Sequence, residues 1–157
     1  MDVPKPDWSE KTYTYSIDYG TNVGALRRGV RFAVPSPGAR LAGLKLAEVM
    51  LVRFLGPDSG RLGVLIYSSN PARVGLGDDR EIRLTAASPV RGFGAAWRTE
   101  FVNSGDKLSG PGYDARLVDS ADAVLRYHGA YVLVTIRLNL SRAGWRRILA
   151  QIARSPR

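Results

Sequence analysis

Polar and apolar positions alternate most regularly in two stretches at opposite ends of the chain. Between Lys11 and Tyr19, the residues Tyr13, Tyr15, Ile17 and Tyr19 share one parity, and Thr12, Thr14, Ser16 and Asp18 share the other. Between Tyr131 and Leu140, Val132, Val134, Ile136, Leu138 and Leu140 fall on one side, opposite Tyr131, Leu133, Thr135, Arg137 and Asn139. Successive side chains of a pleated strand point to opposite faces, so a period of two predicts a strand in each place. Beyond Ser141 the period changes. Trp145, Ile148, Leu149 and Ile152 recur at i, i+3, i+4 and i+7, which is one stripe of a helix. Ser141 can cap that helix with its hydroxyl and Pro156 stops it, so the pattern predicts an amphipathic helix over about 141–155.

The intervening pattern is shorter in period and richer in turns. Residues 1–9 hold two prolines and little apolar content and read as an extended lead into a single domain spanning 10–157. Arg28 to Val34 alternates, with Val30, Phe32 and Val34 inward, until Pro35-Ser36-Pro37-Gly38 ends it. Arg40 to Leu55 fits two templates: Leu44, Ala47, Leu51, Phe54 and Leu55 make a helical stripe, while Val49 to Leu55 also suits a strand buried on both faces. The turn-rich run from Gly56 to Gly60 and the apolar run Leu62 to Tyr67 favour a hairpin from Glu48 to Ser68. Further strands are expected at Glu81–Thr85, at Ala95–Val102 with Trp97 and Phe101, at Tyr113–Val118 and at Ala123–Tyr127. Residues 69–80 and 103–112 read as polar loops, and His128-Gly129 as a tight turn into the last strand. About eight short strands between turn signals predict a mainly β fold, an antiparallel sandwich or barrel-like sheet with one C-terminal helix. The alternative is an α+β layout, a curved antiparallel sheet packed on helices.

A chain of 157 residues is long enough for one domain with a substantial core, and 45% hydrophobic with 24% charged residues is the balance of an ordinary globular protein. No apolar run approaches the roughly 20 residues of a membrane-spanning helix; Val49 to Leu55 already contains Arg53. The start, Asp2-Val3-Pro4-Lys5-Pro6 after Met1, reads as a mature N-terminal linker, which gives an envelope or periplasmic location the advantage over the cytoplasm. Cysteine is absent, which excludes disulfides, thiolate metal sites and a cysteine nucleophile.

Catalytic chemistry finds little to work with. His128 is the only histidine and sits in a turn, and no Gly-x-Ser-x-Gly elbow accompanies it. Asp119 and Asp122 are spaced to share a hard cation with neighbouring carbonyls, without the pattern of a calcium loop. Gly75-Leu76-Gly77 and Gly92-Phe93-Gly94 lack the third glycine and following helix of a phosphate cradle and read as loops. No catalytic set, metal site or cofactor is expected.

The net charge of +9, carried mainly by arginine, suits acidic partners. Arg27, Arg28 and Arg31 cluster near the predicted second strand, and Arg142, Arg146 and Arg147 on the final helix; these six are the candidate binding residues. The leading expectation is a non-enzymatic protein-binding module, such as a bacterial envelope adaptor or immunity-type inhibitor. The alternative is a basic protein that binds polyanions, either nucleic acid or an anionic membrane surface, through those clusters and the tyrosines Tyr13, Tyr15 and Tyr19.

Overall fold

The structure, a computed structural model, describes residue 4 and residues 13–54, 60–73 and 80–156. In chain order the elements are β1 (Tyr13–Asp18), α1 (Val23–Gly29), β2 (Arg40–Leu41), β3 (Leu44–Phe54), β4 (Gly60–Ser68), β5 (Glu81–Ala87), α2 (Gly92–Asn103), β6 (Asp114–Leu117), β7 (Asp122–Tyr127), β8 (Ala130–Ile136) and α3 (Arg142–Ala153). A 3-10 turn lies at Pro71–Arg73. Eight strands form one open sheet in the order β1-β3-β4-β5-β8-β7-β6, with β2 pairing β3 beyond the main path. Every pairing is antiparallel.

The mainly β class and the C-terminal helix expected from the sequence are both present. The strands do not close into a barrel or face one another as a sandwich. Three helices cover the two faces of the one sheet, which is the second layout the pattern allowed. Alternation explains the choice, because the central strands bury both parities. On β4, Val64 and Ile66 enter the apolar cluster of one face while Leu65 and Tyr67 enter that of the other. A strand dry on both sides needs a layer on each.

On the first face, α1 contributes Leu26, and α3 contributes Trp145, Ile148, Leu149 and Ile152. These pack over Val49, Leu51, Leu65, Ile82, Leu84, Val132 and Val134. Each large apolar side chain so buried contributes about 1.5–3 kcal/mol. Ser141 caps α3 as its position predicts, accepting from the Gly144 N–H at 3.1 Å. On the second face, α2 crosses between β5 and β6 and buries Phe93, Trp97 and Phe101 against Val64, Ile66, Ala87, Tyr131 and Leu133. The fully buried Trp97 donates its indole N–H to the Pro4 carbonyl at 2.8 Å.

Several predicted elements change. Arg40 to Leu55 resolves in favour of strand: Arg40–Leu41 is β2 and Leu44–Phe54 is β3, which pairs with β4 from Lys45↔Ser68 to Phe54↔Gly60 with a register shift between Leu46 and Glu48, while Leu55 and the turn up to Ser59 lie outside the described residues. The run Arg28 to Val34 is not a strand. Asn22, read as part of a loop, caps α1 by accepting from the Ala25 N–H at 3.0 Å, and the helix runs through Arg27 and Arg28. Val30 and Val34 still bury themselves, in a segment without ladder partners, because Pro35 and Pro37 have no N–H to give. Tyr67 pins that segment by donating its hydroxyl to the Gly38 carbonyl at 2.7 Å, and burial pushes its pKa up to about 12. Ala95 to Val102 is likewise helix, inside α2. The His128-Gly129 turn holds: φ is 45° and 81° at its two residues, the pair of positive values a two-residue hairpin requires. Ala42-Gly43 repeats the device between β2 and β3, at 51° and 81°.

Candidate anion-binding cleft

One end of the sheet gathers four chain segments around a cleft of about 770 Å³. In-register pairing brings them together: Phe54 faces Gly60, Leu62 faces Ala87, Ala87 faces Tyr131, and the β7–β8 turn closes beyond Tyr127↔Ala130. The Phe54–Gly60 end of β3 and β4 therefore lies beside the end of β5, the start of α2 and the His128-Gly129 turn. The segment after α1 supplies the remaining wall with Arg31, Phe32 and Ala33.

Five cationic or titratable nitrogen side chains line this cleft: Arg31, Arg53, Arg61, Arg91 and His128. No carboxylate is among its described lining residues. Arg53 and Arg61 stand directly opposite each other across β3 and β4. Like charges directly opposed on neighbouring strands repel, so their placement concentrates positive charge at this end of the sheet. Arg61 is oriented by its donation from Nη1 to the Gly29 carbonyl at 3.0 Å, at the last residue of α1. A cation there meets the carbonyls at a helix C-terminus.

Arg91 immediately precedes α2, with its backbone extended and its side chain exposed. The run Gly92-Phe93-Gly94, read from sequence as a loop, opens this helix instead. Gly94 is required by close approach, since a Cβ there would sit 1.7 Å from the Ser88 carbonyl oxygen. Only glycine lets the 88–91 segment fold tightly onto the helix start and so carry Arg91 to the cleft. Beside it, Val90 and Val102 are 75% and 71% exposed and, with Pro89, Ala95, Arg98, Thr99 and Asn103, line a shallow groove of mixed polarity along α2.

The six arginines predicted as a binding set separate. Arg31 lines the cleft. Arg27 is turned inward: its Nε and Nη2 donate to the Val34 carbonyl at 2.9 and 2.6 Å, and Nη2 also donates to the Pro156 carbonyl. Arg142 pairs with Asp106 at 3.0 Å and donates to the Lys107 carbonyl. Arg28, Arg146 and Arg147 are exposed on the outer faces of α1 and α3. Arg53, Arg61 and Arg91 were not singled out, because they are scattered through the sequence and meet only through the sheet's register.

The acidic candidates bond to their own neighbourhood in the fold. Asp119 accepts from the Ala121 N–H at 2.8 Å, and the fully buried Asp122 accepts from the Thr135 hydroxyl at 2.9 Å. Glu48 is the carboxyl whose pKa is raised, first by burial and then by the charge and hydrogen bond of Asp18, with Arg83 opposing. None of these three carboxyls lines the cleft. Of the tyrosines proposed as stacking platforms, Tyr19 packs against the first-face core, and the side chains of Tyr13 and Tyr15 lie outside the described residues. So do Trp8 and the Gly75-Leu76-Gly77 run. No protein-family model, curated protein or solved structure matches this chain.

Proposed function

We propose that the protein is a non-enzymatic binding module for a polyanionic partner, held in the arginine-lined cleft at the end of its sheet. One observation carries this reading: Arg31, Arg53, Arg61 and Arg91 converge on one concavity with no carboxylate among its described lining residues. Guanidinium groups gathered this way give an anion several charge-assisted hydrogen bonds at once. A protein partner, the leading expectation from sequence, is favoured separately by the exposed Val90 and Val102 on the neighbouring groove. Apolar side chains beside a charged site suit a contact with a folded surface.

The test is equilibrium binding of the full chain at low and rising salt to three labelled polyanions: polyphosphate, oligothymidylate and polyglutamate. At least one should bind, with affinity falling steeply in salt; four phosphate contacts on a single strand correspond to a log–log slope of roughly −3. Replacing Arg31 and Arg91 together with alanine should abolish most of it. Binding to none of the three, or binding indifferent to the double substitution, overturns the reading.

A further inference from the structure

We propose a second binding surface, on the side of the sheet covered by α1 and α3: a basic face that takes the phosphate backbone of duplex nucleic acid without reading its sequence. It stands apart from the cleft and does not rest on the reading of that site. The first observation is a one-sided charge. From Tyr19 to Ala47 and from Ala123 to Arg157 the sequence holds no Asp or Glu. Both helices of the first face, and the segment that joins α1 to β2, come from these two stretches. Arg28 on α1, Arg40 on β2, Arg146 and Arg147 on α3 and Arg154 at its end are all exposed. Among the described residues, none of these five pairs with a carboxylate. Arg142, at the start of α3, meets Asp106 and is left out of the set.

The second observation is that the layer is braced. Arg27 ties the end of α1 to the Pro156 carbonyl, and Gln151 donates from α3 to the Arg40 carbonyl at 3.1 Å. Little backbone ordering is left to oppose binding. The third is spacing. Ala143, Arg147, Ala150 and Arg154 recur at i, i+4, i+7 and i+11, a line opposite the buried stripe of Trp145, Ile148, Leu149 and Ile152. Seven residues of helix rise about 10 Å, close to the roughly 12 Å width of a major groove. Arg147 and Arg154 can therefore reach the two phosphate rows that border it, with only the small Ala150 between them. Among the described residues the exposed large hydrophobics are Ile17, Val90 and Val102, none of them on this layer. A membrane-surface helix or a protein contact uses such side chains as anchors. A phosphate backbone asks only for cations and forked donors.

Fluorescence anisotropy of the full chain with two labelled duplexes of unrelated sequence, each of about 20 base pairs, tests this. Both should bind alike, with a log–log salt slope of roughly −3 to −4.5, the value for about three to five phosphate contacts. Arg147→Ala with Arg154→Ala should flatten the slope by about 2 and weaken binding at least tenfold, roughly, at low salt. Lysine at both positions should keep most of the affinity. Arg31→Ala with Arg91→Ala, in the cleft, should bind duplex like the unaltered chain, and circular dichroism should show every variant folded. Duplex binding that is absent, or that survives the loss of Arg147 and Arg154, overturns the inference. So do vesicles of equal parts phosphatidylcholine and phosphatidylglycerol, or polyglutamate, held more tightly than duplex through the same two arginines. Polyphosphate binding that is lost with Arg31 and Arg91, and kept when Arg147 and Arg154 are altered, leaves the cleft reading standing whatever the duplex does.

Discussion

Arginines gather at two places in this molecule, and the two dispose of their charge in opposite ways. At the corner where residues 104–118 fold back beside β7, each arginine meets a carboxylate. Arg116 reaches the Asp114 Oδ1 and Ser109 Oγ atoms and lies 4.3 Å over the Phe101 ring; Arg126 faces Asp114 across β6 and β7; and Arg142 pairs with Asp106. At the cleft, four arginines line the wall with no acid among the described lining residues, and Arg61 donates to the Gly29 carbonyl. Net charge counts both regions alike. Lining distinguishes them: the corner sets acids beside its arginines, and the described walls of the cleft set none there.

The sharpest way to break that contrast is to import the corner's solution into the cleft. Arg91→Glu should cut affinity for polyphosphate by more than about a hundredfold, since it removes one favourable charge and adds a repulsive one. It should leave stability unchanged or raise it by about 0.5 kcal/mol, because an acid now begins α2, whose first turn has none. Titration calorimetry and thermal melting on the same variant check both halves. Arg27→Ala comes next. The Val34 carbonyl loses its Arg27 donor and the Pro156 carbonyl keeps only the Tyr127 hydroxyl, so unfolding in urea should show a loss of about 1–2 kcal/mol.

The smallest effect is expected at the corner. Arg116→Ala removes a pair half-open to solvent and the contact over Phe101, and should cost about 1 kcal/mol. Burial by itself would raise the Asp114 pKa, but hydrogen bonds from Ser109 and Arg116 and the charges of Arg116 and Arg126 hold it below the usual carboxylate range. A carboxylate with a depressed folded pKa stabilises above its unfolded value and loses that contribution as pH falls through the folded one. The unaltered protein should therefore lose this increment only on strong acidification. In the variant the acid dependence should flatten, as read from urea midpoints across pH.

How much of this was legible depends on whether the signal was local. The stripe Trp145, Ile148, Leu149 and Ile152, the hairpin of β3 and β4 and the His128-Gly129 turn are short-range patterns, and all three are as expected. Helix α2 was misread as a strand although Phe93, Trp97 and Phe101 lie at i, i+4 and i+8. Gly92 and Gly94 argued for a loop, and their reason is tertiary, the approach of the Ser88 carbonyl. Helix α1 was hidden because Val30, Phe32 and Val34 alternate just after it, and alternation without a neighbouring strand makes no ladder. For the cleft, Arg31 was within reach of sequence reasoning. Arg53, Arg61 and Arg91 were not, since only the register of β3, β4 and β5 and the fold of the 88–91 segment make them neighbours.

The grip of Arg27 on Pro156 joins residues 129 positions apart. Tyr127 reinforces it by donating its hydroxyl to the Ser155 carbonyl at 2.9 Å, and Ser155 in turn accepts from the Ser36 N–H at 3.0 Å. During synthesis these clasps can close only after residues 155 and 156 have emerged from the ribosome. Until then Arg31 to Ala33 are held only by the local bond of Arg27 to Val34 and the Tyr67 bond to Gly38, so a nascent chain stalled before α3 would present a sheet with a loosely held wall.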